Sequence, residues 1–259
     1  MSAAVKDFNV WEGVYRSFSE APAEGPGFDG GVWRDRSLQA AREILAAVGS
    51  DEPLDYALRQ RNAVLPGLVA TALDRKSSIR ILDLGGGLGT GFMLLMKTVP
   101  SAVQRVDYTV VESEGICRAG RELFEGEATP DFLPDLPHSG TFDIIHAASV
   151  MQYIKDWKGV VASLARFGAT YLSFGDVFLG SFGTFVTMQN YYGSRIPHWF
   201  FNAEEFIREV ERHNYNLALR SICDAKVLGV YGPLPMENFP PELRLKHTTH
   251  LLFTSKATA

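Results

Sequence analysis

Residues 83–89 have the types and spacing best suited to holding a small ligand. They read Asp-Leu-Gly-Gly-Gly-Leu-Gly, after an apolar segment at 79–82 and before a helix-like run at 90–99. Glycine lacks a Cβ atom, so the backbone of such a turn can adopt positive φ and approach a ligand closely. The candidate ligand-binding residues in the turn are Asp83, Gly85, Gly86, Gly87 and Gly89.

The spacing of these glycines does not fit the Gly-x-Gly-x-x-Gly fingerprint of nicotinamide enzymes. Counted from Gly85, the last position of that fingerprint falls on Thr90, and counted from Gly87 it falls on Phe92. The order Asp-x-Gly-x-Gly-x-Gly resembles instead the first motif of class I S-adenosylmethionine (SAM)-dependent methyltransferases. The resemblance implies SAM as cofactor, with its amino acid end and ribose against the turn. Asp83 would then organise the turn and reach the methionine ammonium through water.

Two more candidate cofactor ligands lie at the ends of predicted strands. Glu112 ends the second strand, where one carboxylate can accept hydrogen bonds from both ribose hydroxyls. Residues 142–153 resemble the fourth-strand motif of the same enzymes and place Ser149 at the cleft, since open α/β sheets bind ligands at the carboxyl ends of strands. Either Asp131 or Asp135 is expected to receive the adenine amino group.

Methyl transfer to a hydroxyl needs a group that takes up the proton. Three side chains near the predicted cleft are candidate catalytic bases. Asp176 follows the fifth strand, His198 lies in a predicted loop at 191–199, and His146 ends the fourth strand. Asp176 and His198 are favoured slightly over His146. No set of carboxylates suited to a metal ion can be identified, so no metal is predicted.

The elements that position these residues alternate between strand and helix from residue 79 onward. Such alternation is typical of a mainly parallel sheet with helices on both faces. Strands are predicted near 79–82, 108–111, 128–133, 142–147, 170–174, 217–223 and 250–254. Helix N-caps are predicted at Asp156 and Asn202. Seven strands with a final hairpin match the Rossmann-like α/β sheet of class I methyltransferases.

Two regions fall outside that alternation. Residues 1–77 are predicted to be a helical N-terminal cap, from helical spacing of apolar residues at 38–48 and 58–73. The SAM-binding domain is then 78–259. Residues 180–199 form an aromatic-rich insertion after the fifth strand. It is predicted either to cover the acceptor or to form a hydrophobic edge or homodimer contact.

Composition limits the classes of partner. The net charge of −5, with no run of Lys or Arg, argues against a nucleic-acid partner. No apolar stretch approaches the ~18 residues that a membrane-spanning helix needs. The two cysteines fit no metal or disulfide pattern, and the first residues lack an apolar signal core. A cytoplasmic location is therefore expected.

A closer resemblance covers most of the chain. Trp11-Glu12-Gly13-Val14-Tyr15, a W-x-G-x-Y pattern, is similar to the N-terminal mark of a SAM-dependent methyltransferase family often found in bacterial surface-polysaccharide gene clusters. Where that family tends to have an arginine after the acid of strand five, this chain has Asp176-Val177.

The resemblance implies methyl transfer to a polar small-molecule acceptor, with a sugar or nucleotide-sugar hydroxyl as the leading expectation. The alternatives are N- or C-methylation of a secondary metabolite, and a SAM-binding partner protein without turnover.

Overall fold

A computed structural model describes residues 8–124, 129–191, 193–224, 226–227 and 230–256. In chain order the strands are β1 (Trp11–Tyr15), β2 (Ile79–Leu84), β3 (Val106–Val111), β4 (Asp131–Leu133), β5 (Ile144–Ala148), β6 (Tyr171–Val177), β7 (Leu179–Gly180), β8 (Phe185–Tyr191), β9 (Ser194–Asn202), β10 (Tyr215–Cys223), β11 (Lys226–Val227), β12 (Val230–Tyr231) and β13 (Thr248–Ser255). The α-helices are α1 (Gly31–Val48), α2 (Tyr56–Arg61), α3 (Leu65–Arg75), α4 (Thr90–Thr98), α5 (Glu114–Leu123), α6 (Trp157–Ala165) and α7 (Ala203–Glu211).

The main sheet has seven strands in the order β10-β13-β6-β5-β2-β3-β4. Neighbours from β6 to β4 pair in parallel, and β13 runs antiparallel to both β6 and β10. The sequence prediction of a seven-stranded, mainly parallel Rossmann-like sheet with a final hairpin is confirmed. Because the chain proceeds from β2 outward to β4 and then returns to β5 on the other side of β2, the carboxyl ends of β2 and β5 flank the crevice where such sheets bind ligands.

Helices cover both faces of this sheet. On one face, apolar side chains of α3, α4 and α5 pack against the strands, with α1 beyond them. On the other face, Trp157 and Val161 of α6 pack with Phe206 and Val210 of α7. Strand residues such as Ile81 and Leu82 are fully buried, as expected for strands covered on both sides. Two buried layers therefore fix the position of every strand end at the crevice.

Both predicted N-caps are confirmed. The Asp156 carboxylate accepts a hydrogen bond from the Gly159 amide at 3.0 Å, and the Asn202 side-chain oxygen accepts one from the Glu205 amide at 2.9 Å. These bonds satisfy amide groups that the first turn of a helix leaves without a partner.

The N-terminal segment is less uniformly helical than its pattern predicts. Trp11–Tyr15 is a strand that pairs antiparallel with β8, with Trp11 opposite Gln189. The helix expected over 58–73 is broken into α2 and α3, because the Asn62 side chain donates to the Leu58 carbonyl and a proline begins α3. The division into a 1–77 cap and a 78–259 domain stays a prediction.

The insertion after the fifth strand forms a second sheet, in the order β1-β8-β9-β7. The predicted loop position of His198 is wrong, because this residue lies on β9 opposite Thr187. Pro197 argues against a strand since it lacks an amide hydrogen. Among the described residues β7 pairs with β9 only at Phe201 and Asn202, so Pro197 lies outside that short ladder. Ala128 and Tyr192, which belonged to the predicted third strand and this loop, lie outside the described residues.

Candidate active site

The glycine turn joins β2 to α4. Gly85, Gly87 and Gly89 all have positive φ, and Gly89 is the N-cap of α4. A Cβ atom added at Gly87, where φ is +57°, would meet no other heavy atom within 4 Å. Gly87 therefore presents bare backbone to open space, in a conformation that side chains rarely adopt.

Asp83 lies beneath this turn. Its Oδ2 atom accepts a hydrogen bond from the Tyr108 hydroxyl at 2.7 Å, and a Cβ atom at Gly86 would collide with the carboxylate. Burial raises the pKa of Asp83 to about 7, the Tyr108 hydrogen bond lowers it, and the nearby Glu112 raises it further. The Asp83 carboxyl is thus held in place by its neighbours and supports the turn from below.

The raised pKa of Asp83 makes folding stability depend on pH. Because the pKa rises from 3.8 to about 7, the folded state retains a proton that the unfolded state has lost between these values. Stability from this group is full below pH ~4 and is lost, at about 1.4 kcal/mol per pH unit, as the pH rises towards 7. Urea unfolding should show the wild type losing stability relative to Asp83→Asn between pH 4 and 7, with a constant difference above 7. A difference that does not change with pH would contradict the assignment.

Glu112 follows β3, next to the glycine turn. Its Oε2 atom accepts a hydrogen bond from the Ser113 amide at 2.9 Å. Burial raises the pKa of Glu112, while backbone hydrogen bonds from Ser113 and Gly87 lower it. The Glu112 carboxylate and the bare backbone of Gly87 are therefore direct neighbours, as expected if both contact one ligand.

These residues line one cavity of about 1010 Å³. This volume is at the upper end of the range usual for small-molecule sites. Its walls come from α1, α2, the glycine turn, the end of β3, the segment after β5, the end of β6 and the end of β8. The predicted cofactor residues Asp83, Gly85, Gly86, Gly87, Glu112 and Ser149 and the predicted base Asp176 all belong to the lining. Gly89 begins α4 just behind it.

Ser149 and Asp176 meet at the wall of this cavity. The Ser149 hydroxyl donates to Asp176 Oδ2 at 2.5 Å, and the Thr248 hydroxyl donates to Asp176 Oδ1 at 2.6 Å. Arg61 Nε lies 3.7 Å from Asp176 Oδ2. Both Ser149 (φ +57°) and Asp176 (φ +53°) have left-handed backbone conformations, which are strained for residues other than glycine. Strain of this kind concentrates at functional sites.

The position of Ser149 relative to the glycine turn is fixed by packing. A Cβ atom at Gly85 would collide with the side chain of Val150. The segment after β5 therefore lies directly against the turn, and Ser149 lines the same cavity as Gly87.

His146 and His198 are placed differently from Asp176. His146 on β5 is buried, with one ring nitrogen 3.0 Å from Asn62 Oδ1 and the other 3.2 Å from Ser173 Oγ. Burial, followed by the charge of His250, lowers the pKa of His146 to about 3. Neither His146 nor His198 belongs to the described lining of the cavity.

His198 lies in an aromatic cluster behind the cavity wall. Its ring centroid is 4.4 Å from that of Phe178, 5.2 Å from Tyr153 and 5.9 Å from Trp11. The side chain is fully buried, and both ring nitrogens lack a hydrogen-bond partner. Burial lowers the pKa of His198 to about 3, so the ring is neutral near pH 7.

Sequence reasoning missed much of the cavity wall. Phe28 and Trp33 reach the cavity from the N-terminal segment, and their ring centroids are 5.2 Å apart. Phe28 also lies 4.7 Å from Tyr153, whose hydroxyl donates to Gln189 Oε1 at 2.8 Å. The apolar spacing of α1 could have indicated a buried face, but no local signal shows that this face turns towards a ligand.

Of the two candidate adenine residues, Asp131 begins β4 and Asp135 follows that strand. Pro134, between them in sequence, lines the large cavity. Asp131 instead lines a smaller cavity of about 460 Å³ together with Arg121 and Phe132. Asp135 is exposed. The choice between Asp131 and Asp135 stays open.

Metal sites and membrane-spanning helices are two further features that the described residues could contain. In the described part of the chain, no group of three or more His, Cys, Asp or Glu side chains could hold a metal ion. No described helix combines the length and apolar character that crossing a membrane requires.

Comparison with known proteins identifies a family. The profile of a family described as a methyltransferase domain matches residues 57–219, more than half of the chain. No curated protein matches the sequence.

Several solved structures share the fold. A SAM-dependent methyltransferase from Clostridium acetobutylicum is 12% identical, with 84% of this chain and 98% of that chain covered and a TM-score of 0.50. The Burkholderia thailandensis 1,6-didemethyltoxoflavin-N1-methyltransferase, solved with its substrate and S-adenosylhomocysteine (SAH), is 14% identical, with coverage of 91% and 92% and a TM-score of 0.50. A third match is a chain from a solved complex that contains the Haloferax volcanii Trm112 methyltransferase activator. It is 14% identical, with 88% of this chain and 95% of that chain covered and a TM-score of 0.50. At these identities the likeness shows the fold alone.

Proposed function

The chain belongs to the methyltransferase domain family, and on that premise we propose that it binds SAM in the large cavity and methylates a hydroxyl of a polar small molecule. The observation that carries the proposal is the pairing of Gly87 with Glu112. Bare backbone that a Cβ atom would obstruct lies beside a carboxylate able to accept from two hydroxyls. In this arrangement a ligand can lie close against the backbone of Gly87 while the two hydroxyls of its ribose donate to Glu112.

The residues present fit SAM at several points. Gly85, Gly86 and Gly87 would hold the amino acid end, Asp83 would lie beneath it, and Glu112 would hold the ribose. A volume of about 1010 Å³ leaves room for an acceptor beside the cofactor. When bound, SAM supplies an electrophilic methyl group on a sulfonium sulfur, and the carbon–sulfur bond breaks as the acceptor oxygen takes that methyl group.

Asp176 is the proposed proton acceptor, acting through Ser149. Because the Ser149 hydroxyl donates to Asp176, its oxygen presents lone pairs to the cavity. The acceptor hydroxyl can then pass its proton to Ser149 Oγ while the proton of Ser149 passes to Asp176 Oδ2, where it remains. Thr248 and Arg61 stabilise the negative charge of Asp176 before transfer. His146 and His198 have less support as bases, since burial lowers the pKa of each to about 3 and neither lines the cavity.

The proposed acceptor is a sugar or nucleotide-sugar hydroxyl, in line with the resemblance to enzymes of polysaccharide gene clusters. Aromatic side chains on the cavity wall support a ring-shaped acceptor, because sugar rings stack on aromatic faces. The two buried cysteines, Cys117 and Cys223, form no disulfide with each other, which suits a cytoplasmic enzyme. That location, the W-x-G-x-Y signature and a homodimer stay predictions.

Two measurements test the function. Isothermal titration calorimetry should detect SAM and SAH binding, and a panel of glycosides and nucleotide sugars should release SAH only with a true acceptor. Absence of heat with both SAM and SAH, on folded protein, would refute the cofactor assignment. Binding without SAH release from any panel member would favour a non-catalytic SAM-binding protein. Assigning the methylated atom by NMR separates O-methylation from N- or C-methylation.

Substitution of Glu112 provides a local test of the ribose contact. Glu112→Ala should weaken SAH binding by ~1–3 kcal/mol, because charge-assisted hydrogen bonds contribute about that much. Glu112→Gln, which keeps one acceptor oxygen, should lose less. Glu114→Ala is the matched control, since Glu114 is an exposed carboxylate two residues away that pairs with Arg121. Equal SAH affinity in Glu112→Ala and Glu114→Ala would show that Glu112 does not touch the cofactor.

A further inference from the structure

Part of the cavity, away from the glycine turn in sequence, has an aromatic lining. We call this lining the aromatic wall; its members are Trp11, Phe28, Trp33, Tyr153, Phe178 and Tyr191. Phe28 is central to it, with ring centroids 4.7 Å from Tyr153, 5.2 Å from Trp33 and 6.0 Å from Tyr191. Trp11 and Phe178 continue the wall, with centroids 5.5 Å apart. A wall of this kind binds the face of a ring.

The charges around the cavity are mostly negative. Six carboxylates and two guanidinium groups belong to the described lining: Asp29, Glu43, Asp55, Asp83, Glu112 and Asp176 against Arg36 and Arg61. Arg61 is already 3.7 Å from Asp176 Oδ2. Such a lining repels phosphate groups, which proteins usually hold with unpaired cations or free helix N-termini.

Of the helix N-termini that contribute to the lining, that of α2 is occupied by a carboxylate, whereas that of α1 has no side-chain cap. Asp55 caps α2, and its Oδ1 atom accepts from the Ala57 amide at 2.8 Å and the Leu58 amide at 3.2 Å. These amides are therefore not offered to a phosphate. A diphosphate placed beside Arg61 or at the N-terminus of α2 would therefore meet a carboxylate of the chain itself.

Two residues of the described cavity lining each have a buried polar atom without a partner. These atoms are Nε1 of Trp11, a donor, and Oε1 of Gln152, an acceptor. Both residues line the cavity and are about 1% exposed. Buried polar groups are normally hydrogen-bonded, so an unpaired donor and an unpaired acceptor on one cavity wall point to ligand hydroxyls that complete them.

We propose that the acceptor is an uncharged, hydroxyl-bearing ring that stacks on the aromatic wall and bonds to Trp11 and Gln152, and that the enzyme rejects nucleotide sugars and sugar phosphates. The proposal rests on the proposed function and narrows its acceptor class to a sugar without phosphate. Methylation would then act on a sugar before activation, or on a finished glycoside.

The test compares matched ligands on SAH-saturated protein at low ionic strength. Glucose, galactose, mannose, rhamnose and N-acetylglucosamine are each supplied as methyl glycoside, 1-phosphate and nucleotide-diphosphate sugar, with intrinsic tryptophan fluorescence as readout. At least one methyl glycoside should bind, and its two phosphorylated forms should bind at least ~10-fold more weakly. A phosphorylated form that binds as tightly as its glycoside, or a panel in which no glycoside binds, overturns the proposal. SAH binding is measured first, because a protein that does not bind SAH would contradict the proposed cofactor site and not the proposed acceptor.

Two sets of variants test separately the hydrogen bond from Trp11 and the repulsion of phosphate by the acidic lining. Trp11→Phe keeps a ring but removes the N–H group and should weaken glycoside binding about 3- to 10-fold with SAH affinity unchanged. Trp157→Phe is the control, because Trp157 packs in the core against Phe206. Asp29→Asn combined with Glu43→Gln should reduce the discrimination against phosphorylated forms, whereas Asp107→Asn with Glu204→Gln, far from the cavity lining, should not. Unchanged glycoside affinity in Trp11→Phe, or unchanged discrimination in the charge variant, counts against the proposal.

Discussion

Replacing Gly87 by aspartate is expected to abolish SAM and SAH binding while leaving the protein folded. A side chain at this position points into open cavity, since a Cβ atom would meet nothing within 4 Å. Aspartate is among the residues that best tolerate φ near +57°, so the backbone cost is small. The added carboxylate occupies the space over the bare backbone, and filling a fitted site in this way should weaken binding at least about 100-fold.

Gly168→Asp is the matched control for this substitution. Gly168 has φ of +62° and likewise leaves a Cβ atom without neighbours within 4 Å, but it lies after α6 and away from the cavity. Both variants should show the thermal unfolding of folded protein by circular dichroism, and calorimetry should detect SAH binding only in Gly168→Asp. Wild-type SAH affinity in Gly87→Asp would mean that the cofactor lies elsewhere.

That the glycine turn and Glu112 lie side by side could be predicted, because local sequence patterns dictate their positions. A strand that turns into a helix over four glycines leaves few alternatives for Asp83 to Gly89. Glu112 follows at the next strand end, and parallel pairing brings Leu84 opposite Val111. Residues at adjacent strand ends can be predicted from short-range patterns alone, together with the rule that such sheets bind ligands at the carboxyl ends of their strands. The same reasoning located Asp176 and Ser149 at one edge.

The aromatic wall could not be predicted, because contacts between residues distant in sequence create it. Trp11 reaches the cavity only by pairing β1 with β8, opposite Gln189. Phe28 and Trp33 depend on where the N-terminal segment crosses the sheet. No periodicity of the sequence encodes such a crossing. The helical spacing of apolar residues within 31–75 predicts a helical N-terminal segment, and the strand at 11–15 was therefore not predicted. The adenine contact stays open for a similar reason, since Pro134 rather than Asp131 or Asp135 faces the cavity.

The two histidines differ from Asp176 in their surroundings, although the sequence favours His198 as much as Asp176 and only slightly over His146. His198 and His146 both looked suited to proton transfer, yet each is enclosed by the core and its pKa is lowered to about 3. Asp176 is also buried, but two hydroxyl donors and Arg61 surround its carboxylate at the cavity wall. Burial lowers the pKa of a histidine and makes it a poor base near pH 7. The contacts of Asp176 at the cavity wall are therefore the reason to prefer it as the base.

Asp176→Asn should therefore lower the rate of methyl transfer by about 10²- to 10⁴-fold, the usual contribution of a positioned base. Asparagine has the same shape and tolerates the left-handed conformation of Asp176, so the loss reflects the missing charge. Ser149→Ala should lose a similar factor, because Ser149 is the only link between Asp176 and the acceptor in the proposed relay. The rate of SAH formation is measured with the acceptor found by the panel, and calorimetry should give an SAH affinity for Asp176→Asn within about threefold of wild type.

Asp156→Asn serves as the control, because Asp156 caps α6 at the surface and asparagine caps a helix equally well. His198→Gln and His146→Gln decide between the candidate bases. If Asp176 takes the proton, both histidine variants that fold should keep the rate within about tenfold of wild type, since neither ring lines the cavity. A loss of 10²-fold or more in either histidine variant, with full activity in Asp176→Asn, would transfer the role to that histidine. Equal losses in Asp176→Asn and Ser149→Ala, with no further loss in the double variant, would show that the two residues act as one unit, as a shared proton path requires.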